Sequence, residues 1–445
     1  MSQLTGQFQS KDRAMTSTSE IISVDNGIVT IQSKVSLSDS MLDCEKAIQA
    51  CVNEAGALAT GEALKQFDAD GRPIVVGGIK LTSRCKSKKT YKTPYADISV
   101  ERHVYQTSAG GKVYVPLEER ARIVQGATPR FGKLLSHKYT NLAAPGVIED
   151  LSDNHGRKIS IDYLQKVTDH IGSIAQATEE FWEYEVPDLD KSVACIGISR
   201  DGAYVPTVDQ GYRESMSGTI SLYDKEGDRL YTIYLGASPE YGKKTFVERF
   251  EREIQRTKQL YPDAQSIGVA DGAQDNWSFL KQHTSRQILD FWHVAEYLSE
   301  ASHALFSKKG QNAQREQWLD QSCHDLKHKQ GAAGRIVNEL NTCVSKPLRP
   351  VVREKLEAAI TYLSNNMKAG RMKYHLHTKN NWPIGSGVVE AACKTLIKQR
   401  LCASGMRWKS NGIKVILSLR SLVKTKGRWN QFWNKINLCG VPALC

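Results

Sequence analysis

VACIGISRDG, residues 193–202, is a short apolar run closed by Arg200-Asp201-Gly202. It reads as a strand, Val193–Ile198, with an acidic residue just past its end. Working forward, Gly218–Tyr223 and Arg229–Leu235 are two more strands joined by a Lys-Glu-Gly-Asp turn. Phe246–Leu260 has the spacing of an amphipathic helix. Ser266–Ala270 is a fourth strand, and it too ends on an acid and a glycine, Asp271-Gly272. Gln287–Leu289 is a fifth, followed by a helix over 292–306.

Three strands, a helix, a strand, a short helix and a strand form an α/β layer with parallel crossovers. The order is that of the front of an RNase H-like mixed sheet. Residues 307–379 are helical and mixed in charge, with breaks at Gly310, Gly331, Gly334 and Gly370, and read as an all-helical insertion. Glu390–Arg400 reads as a helix behind the turn Gly385-Ser386-Gly387. The catalytic core is therefore expected in two pieces, 187–306 and 380–445.

Upstream, residues 1–20 are polar and expected to be disordered. Ile21–Ile31 is a hairpin around Asp25-Asn26-Gly27, and 39–68 has helical spacing. These make an N-terminal region, 1–72. Residues 73–125 are β-rich, with Asp97–Gln106 alternating and Gly110-Gly111 turning the chain back. In 126–186, one helix spans Leu134–Leu142 and another follows over Ala143–Ser152. A polar turn through Arg157-Lys158 then leads to a third helix, Ile161–Ile171, with Ser160 as its N-cap. A helix, a glycine-containing turn and a helix with a basic entry form a helix-turn-helix pattern. A plain helical bundle gives the same pattern.

The net charge of +12 favours a polyanionic partner. RNA or an anionic membrane surface would satisfy that balance as well as DNA. No apolar run is long enough to span a bilayer, and the opening residues carry no secretory signal. The ten cysteines include no C-x-x-C pair, as expected of reduced thiols. Cys323, His324, His328 and Cys343 lack a compact ligand spacing.

Charge distribution says more than its sum. From Ala358 to Cys445 there are 88 residues and 15 Lys or Arg, and the one acid is Glu390. Proportional scatter would place about nine acids there, given the usual mixed surface. A lone carboxylate in a basic field either pairs with a neighbouring cation or serves a cationic ligand. On a regular helix Lys394 and Lys398 follow it at i+4 and i+8.

Asp201 and Asp271, each followed by Gly, stand where ligands collect in an open α/β sheet. A single Asp-Gly would be an ordinary turn. Two of them after strands, with the isolated Glu390, suit a pair of hard cations such as Mg²⁺, which Mn²⁺ can replace. Such a pair clamps the attacking and leaving oxygens of phosphoryl transfer.

Pro383-Ile-Gly-Ser-Gly-Val-Val-Glu390-Ala-Ala-Cys-Lys394, followed by Arg400 and Gly405-Met406-Arg407-Trp408, resembles the ISKra-type bacterial insertion-sequence transposases. In that family the motif carries the last glutamate of a DDE triad. Val269–Ala273 resembles the second aspartate motif and Ile198–Gly202 the first. The likeness spans roughly 75–435.

It implies catalytic and metal-binding roles for Asp201, Asp271 and Glu390, with two Mg²⁺ as cofactor. It also implies double-stranded DNA as partner, both the element's terminal inverted repeats and a target, and a homodimer on that DNA in the bacterial cytoplasm at the nucleoid. Asp290-Phe-Trp-His293 resembles the C/D-x-x-H pattern of several DDE groups. That likeness puts Asp290 and His293 beside the active site; a helix-capping aspartate would look the same. Arg157, Lys158, Lys394, Lys398, Arg400, Arg407 and Trp408 are the expected DNA contacts. Trp382, Trp408, Trp429 and Trp433 interleave with the basic segment and suit either unpaired bases or a core. Relatives often carry a cysteine pair in the β-rich part, whereas this hairpin tip, 106–111, has none. Two other readings stay open: a structure-specific nuclease with the same triad, and a helix-turn-helix regulator with no need of it.

Overall fold

Asn26 and Gly27 both take positive φ, 48° and 79°, which is what a two-residue turn between twisted strands requires. They join β1 (Thr18–Asp25) to β2 (Ile28–Lys34). The computed structural model describes residues 18–440. Most of the polar stretch 1–20 therefore lies outside the described residues, but Thr18–Glu20 already belong to β1. The chain divides into two compact units, residues 1–174 with 433–445, and residues 175–432.

In the first unit α1 (Met41–Lys65) starts at Ser40, whose hydroxyl accepts the Asp43 amide. The strands β3 (Ile74–Val76), β4 (Ile79–Lys92), β5 (Asp97–Thr107) and β6 (Gly110–Tyr114) form an antiparallel sheet in that order. Tyr91, Val100 and Leu117 are the centre of its core. After α2 (Pro116–Arg120) come α3 (Pro129–Asn141), α4 (Ala144–His155) and α5 (Ile161–Thr178). Ser160 caps α5, its Oγ accepting Tyr163 N at 3.2 Å. Leu164, Val167, Ile171 and Ile174 are fully buried, the stripe that helical spacing requires. Gly156, at φ 60°, ends α4 in the left-handed conformation.

The second unit is a mixed α/β layer. Its sheet runs β11-β10-β7-β8-β9, with β7 (Cys195–Pro206) in the middle. β8 (Tyr212–Tyr223) and β9 (Arg229–Ala237) are antiparallel to their neighbours. β10 (Gln265–Ala270) and β11 (Arg286–Leu289) pair in parallel. The helices α6 (Lys244–Leu260), α7 (Gln274–His283) and α8 (Phe291–Leu305) flank the strands. Then follow α9 (Asn312–His328), α10 (Ala332–Val344), α11 (Pro350–Lys368) and α12 (Tyr374–Lys379). Leu326, Ile336, Leu356 and Tyr374 from these helices join Ile198, Ile220 and Val269 of the sheet in one apolar core. The helical stretch thus has no core separate from the sheet.

β7 corrects the expected strand end. It continues through Asp201 to Pro206 because β8 pairs with it over its whole length, from Cys195↔Tyr223 to Pro206↔Tyr212. The apolar run marks only the part buried on both faces. Beyond Asp201 the burial becomes irregular and Tyr204 is exposed, as in a ribbon with one face in water.

The expected helix over 390–400 is also not uniform. α13 (Gly387–Ala392) passes into a π-helical stretch, Cys393–Lys398, before α14 (Gln399–Leu401). Then come α15 (Ser410–Lys424) and α16 (Arg428–Cys439). The buried Arg420 of α15 donates to Leu396 O at 2.8 Å and also to Thr395 O. It satisfies carbonyls that a wide turn leaves less well paired. No described helix is long and apolar enough to cross a membrane.

Candidate active site

β7 and β10 pair in parallel with Gln265 opposite Cys195 and Gly268 opposite Ile198. Carried forward three residues, that register sets Asp271 opposite Asp201, on strands about 4.8 Å apart. Asp201 lies within β7, and Asp271 stands one residue past β10. Side chains alternate along a strand, so Arg200 points the other way. It is buried against Asn276 Oδ1 at 2.9 Å and lies over the Phe279 ring at 4.6 Å.

Neither aspartate has a cation within ion-pair distance among the described residues. Asp201 Oδ1 accepts only its neighbour's amide, Gly202 N, at 2.7 Å, and the Cys393 thiol also bonds its carboxylate. Burial first, then the Asp271 and Glu214 carboxylates, push the Asp201 carboxyl above its ordinary range, against those two hydrogen bonds. Asp271 Oδ1 accepts Ala273 N at 3.3 Å and Asn276 Nδ2 at 3.4 Å. Its backbone carbonyl accepts Tyr362 Oη at 2.7 Å. In a chain of net charge +12, two adjacent acids without a cation partner form a place suited to a bound cation.

Glu390 lies on α13, which packs on β7 and β8. Cys393, three residues on, supplies the thiol at Asp201. The glutamate itself is held elsewhere. Ser386 Oγ lies 2.6 Å from Glu390 Oε1, and His293 Nε2 lies 3.9 Å from the same oxygen. No group of three His, Cys, Asp or Glu side chains close enough to hold one metal ion occurs among the described residues.

Asp290 takes the helix-capping role open to it from sequence. It caps α8, its Oδ1 accepting Trp292 N at 2.6 Å and His293 N at 3.3 Å. Its Oδ2 accepts the Ser386 amide at 2.5 Å and the Ser386 hydroxyl. This fully buried carboxylate ties the start of α8 to the Gly-Ser-Gly turn that leads into Glu390. A serine hydroxyl has one proton, so Ser386 cannot donate to Asp290 and Glu390 at once. His293 also meets Glu296 at 3.2 Å. Burial opposes its charge, but Glu296, Asp290 and Glu390 outweigh that and raise its pKa.

The expected DNA contacts divide. Lys158, Lys394, Lys398 and Arg407 are exposed, with no carboxylate partner among the described residues. The π-helical stretch includes both Lys394 and Lys398, so the i+4 and i+8 alignment with Glu390 assumed for a regular helix does not apply. Arg157 and Arg400 are buried. Arg157 donates to Thr93 O at 3.0 Å, pairs with Asp97 and lies over Phe131. Its fixed contacts leave it no free face for a phosphate. Arg400 lies over the Trp408 ring at 4.8 Å. Trp408 in turn bridges to the end of β7, its amide donating to Pro206 O at 3.1 Å and its ring N–H to Leu401 O at 3.0 Å. Trp429 and Trp433 are buried.

The sequence reading missed Ser386, Cys393, Asn276 and Tyr362 as site residues. Ser386 and Cys393 lie inside the quoted motif, but their partners Asp290 and Asp201 are 96 and 192 residues away. A scan of protein-family models matches none to this chain, and a search of curated proteins finds no match.

Proposed function

We propose that this chain is a DDE-type transposase, a metal-dependent enzyme that cuts and joins DNA on an RNase H-like core interrupted by the helices of 307–379. The observation that carries the reading is the cation-free pair of Asp201, within β7, and Asp271, one residue past the adjacent parallel β10, with the helix of Glu390 packed on β7 and β8.

The chemistry of the donors fits a hard divalent cation, which takes oxygen ligands. Asp201 and Asp271 would hold it, with Glu390 as the third carboxylate. When bound, such ions activate water or a terminal hydroxyl and stabilise the leaving oxygen. The protein's own part is positional. Asp290 fixes the turn before Glu390, and Ser386 holds the Glu390 carboxylate until a cation competes for it. The exposed Lys394, Lys398 and Arg407 offer cations to phosphates, which position DNA without reading its sequence. Terminal inverted repeats as the recognised ends, a target duplex, Mg²⁺ and a dimer on DNA belong to the same proposal.

Replacing Asp201 or Asp271 with Asn, or Glu390 with Gln, is expected to abolish cleavage and strand transfer on end-bearing DNA in Mg²⁺ while DNA binding persists. Full strand transfer by Glu390→Gln would refute the assignment. Cleavage without joining by the wild type would favour a structure-specific nuclease. Binding with neither reaction would favour a DNA-binding regulator.

A further inference from the structure

A cleft of about 990 Å³ opens among the helices of residues 175–432. One wall is the turn from α9 into α10, and the other is the end of α11 with α12. Its lining carries His328, Lys329, Lys373, His375 and Lys379 and contains no aspartate or glutamate. Lys329 pairs with Asp325 at 2.9 Å, outside the lining. Lys373 and Lys379 are exposed and have no carboxylate partner among the described residues.

Two further features suit an anion. The floor is Gly331-Ala332-Ala333-Gly334, small residues at the first turn of the thirteen-residue α10. The amides of Ala333 and Gly334 there lack a carbonyl four residues back, while that of Ala332 donates to Lys329 O at 3.4 Å. Thr378, also in the lining, has its Oγ1 buried with no hydrogen-bond partner. The wall is rigidly based: Leu289 N donates to Arg371 O at 2.8 Å, and the buried Tyr374 donates to Leu289 O at 3.0 Å. Leu289 ends β11, the strand beside β10.

We infer that this cleft binds the phosphodiester backbone of a nucleic acid, at a site apart from the carboxylates. Lysines, imidazoles, a hydroxyl and backbone amides are all donors to phosphate oxygens, and no carboxylate in the lining repels them. The inference rests on the DNA-binding part of the proposed function and adds a contact region to it.

The test is fluorescence anisotropy of the full chain on duplex DNA across a salt series, with K373E/K379E, the milder K373Q/K379Q, and K225E/K244E as control. Lys225 and Lys244 are exposed and already face Glu226 and Glu248, so the control repeats the charge change elsewhere. Circular dichroism checks that each variant is folded. The slope of log affinity on log salt is expected to flatten by about 2 in K373Q/K379Q, since each phosphate contact contributes about 0.9. Affinity at low salt should fall at least about tenfold, and further in K373E/K379E, with the control near wild type. Wild-type affinity in both cleft variants, or an equal loss in the control, overturns the inference and leaves the proposed function standing. A wild type that binds no DNA overturns both. Inorganic phosphate is the second probe. If it raises the thermal midpoint of the wild type and not of K373Q/K379Q, while DNA binding is the same in both, the cleft takes free phosphate and the nucleic-acid assignment falls.

Discussion

Replacing Asp290 with Ala removes the carboxylate that links α8 to the Glu390 turn and leaves the backbone bond from Phe291 N to Ile384 O at 2.9 Å. The helix loses its N-cap, which costs about 1 kcal/mol. The Ser386 amide loses its partner in a site with no solvent access, which costs about 1–3 kcal/mol. The Ser386 hydroxyl is spared, because it can turn wholly to Glu390 Oε1. The sum is about 3 kcal/mol, set against a typical stability of about 5–15 kcal/mol. Asp290→Asn keeps a good cap and one acceptor oxygen, so it should cost about 1 kcal/mol. The assay is urea unfolding followed by tryptophan fluorescence, comparing midpoints at unchanged slope. On the proposed function, cleavage should fall in Asp290→Ala even well below its midpoint, but less completely than in Glu390→Gln, because the three carboxylates proposed to hold the metal remain. A loss of stability under about 0.5 kcal/mol, the range of ordinary surface changes, would refute the account of this carboxylate.

Arg428 and Glu253 form a two-pronged ion pair at 2.7 and 2.8 Å, with only 6% of the arginine side chain exposed. Arg428→Ala should cost about 3–5 kcal/mol in denaturant unfolding, because it leaves a largely buried carboxylate alone. The raised Asp201 carboxyl predicts a pH effect. A group whose folded pKa lies above its unfolded value favours the fold below the unfolded pKa, and that benefit disappears as pH rises through the folded one. Near neutral pH and without divalent ions, Asp201→Asn should therefore raise the thermal midpoint. Mg²⁺ should raise the wild-type midpoint and have little effect on the variant; scanning calorimetry with and without the ion checks both.

The sequence was most legible where burial is complete. The run 267–270 and the stripe Leu164, Val167 and Ile171 stand out because every residue, or every third and fourth, is without a polar side chain. It was least legible where a polar side chain is used inside the fold. Arg157 looks like a phosphate contact from its basic neighbour Lys158, and only its link to Asp97, sixty residues upstream, shows otherwise. Asp201 looked like a strand end because the run of apolar residues stops there, while backbone pairing with β8 continues. The acids themselves were visible by their isolation and their glycines. Their register was not, since strand spacing carries no information about which strand lies alongside. Ser386 was read only for its flexible neighbours, because its role depends on a carboxylate from another helix.

The π-helical stretch after Glu390 acts as a phase adjuster. A wide turn holds one residue more than an α-turn, so it offsets the direction of everything before it relative to everything after it by about 100°. Downstream, Arg400 and Trp408 are clamped to the end of β7; upstream stands the glutamate. The length of 393–398 is thus constrained by angle rather than by composition. An exchange of one exposed side chain for another leaves the bearing of Glu390 intact. Losing a single residue would yield a more regular helix and turn Glu390 relative to Arg400 and Trp408.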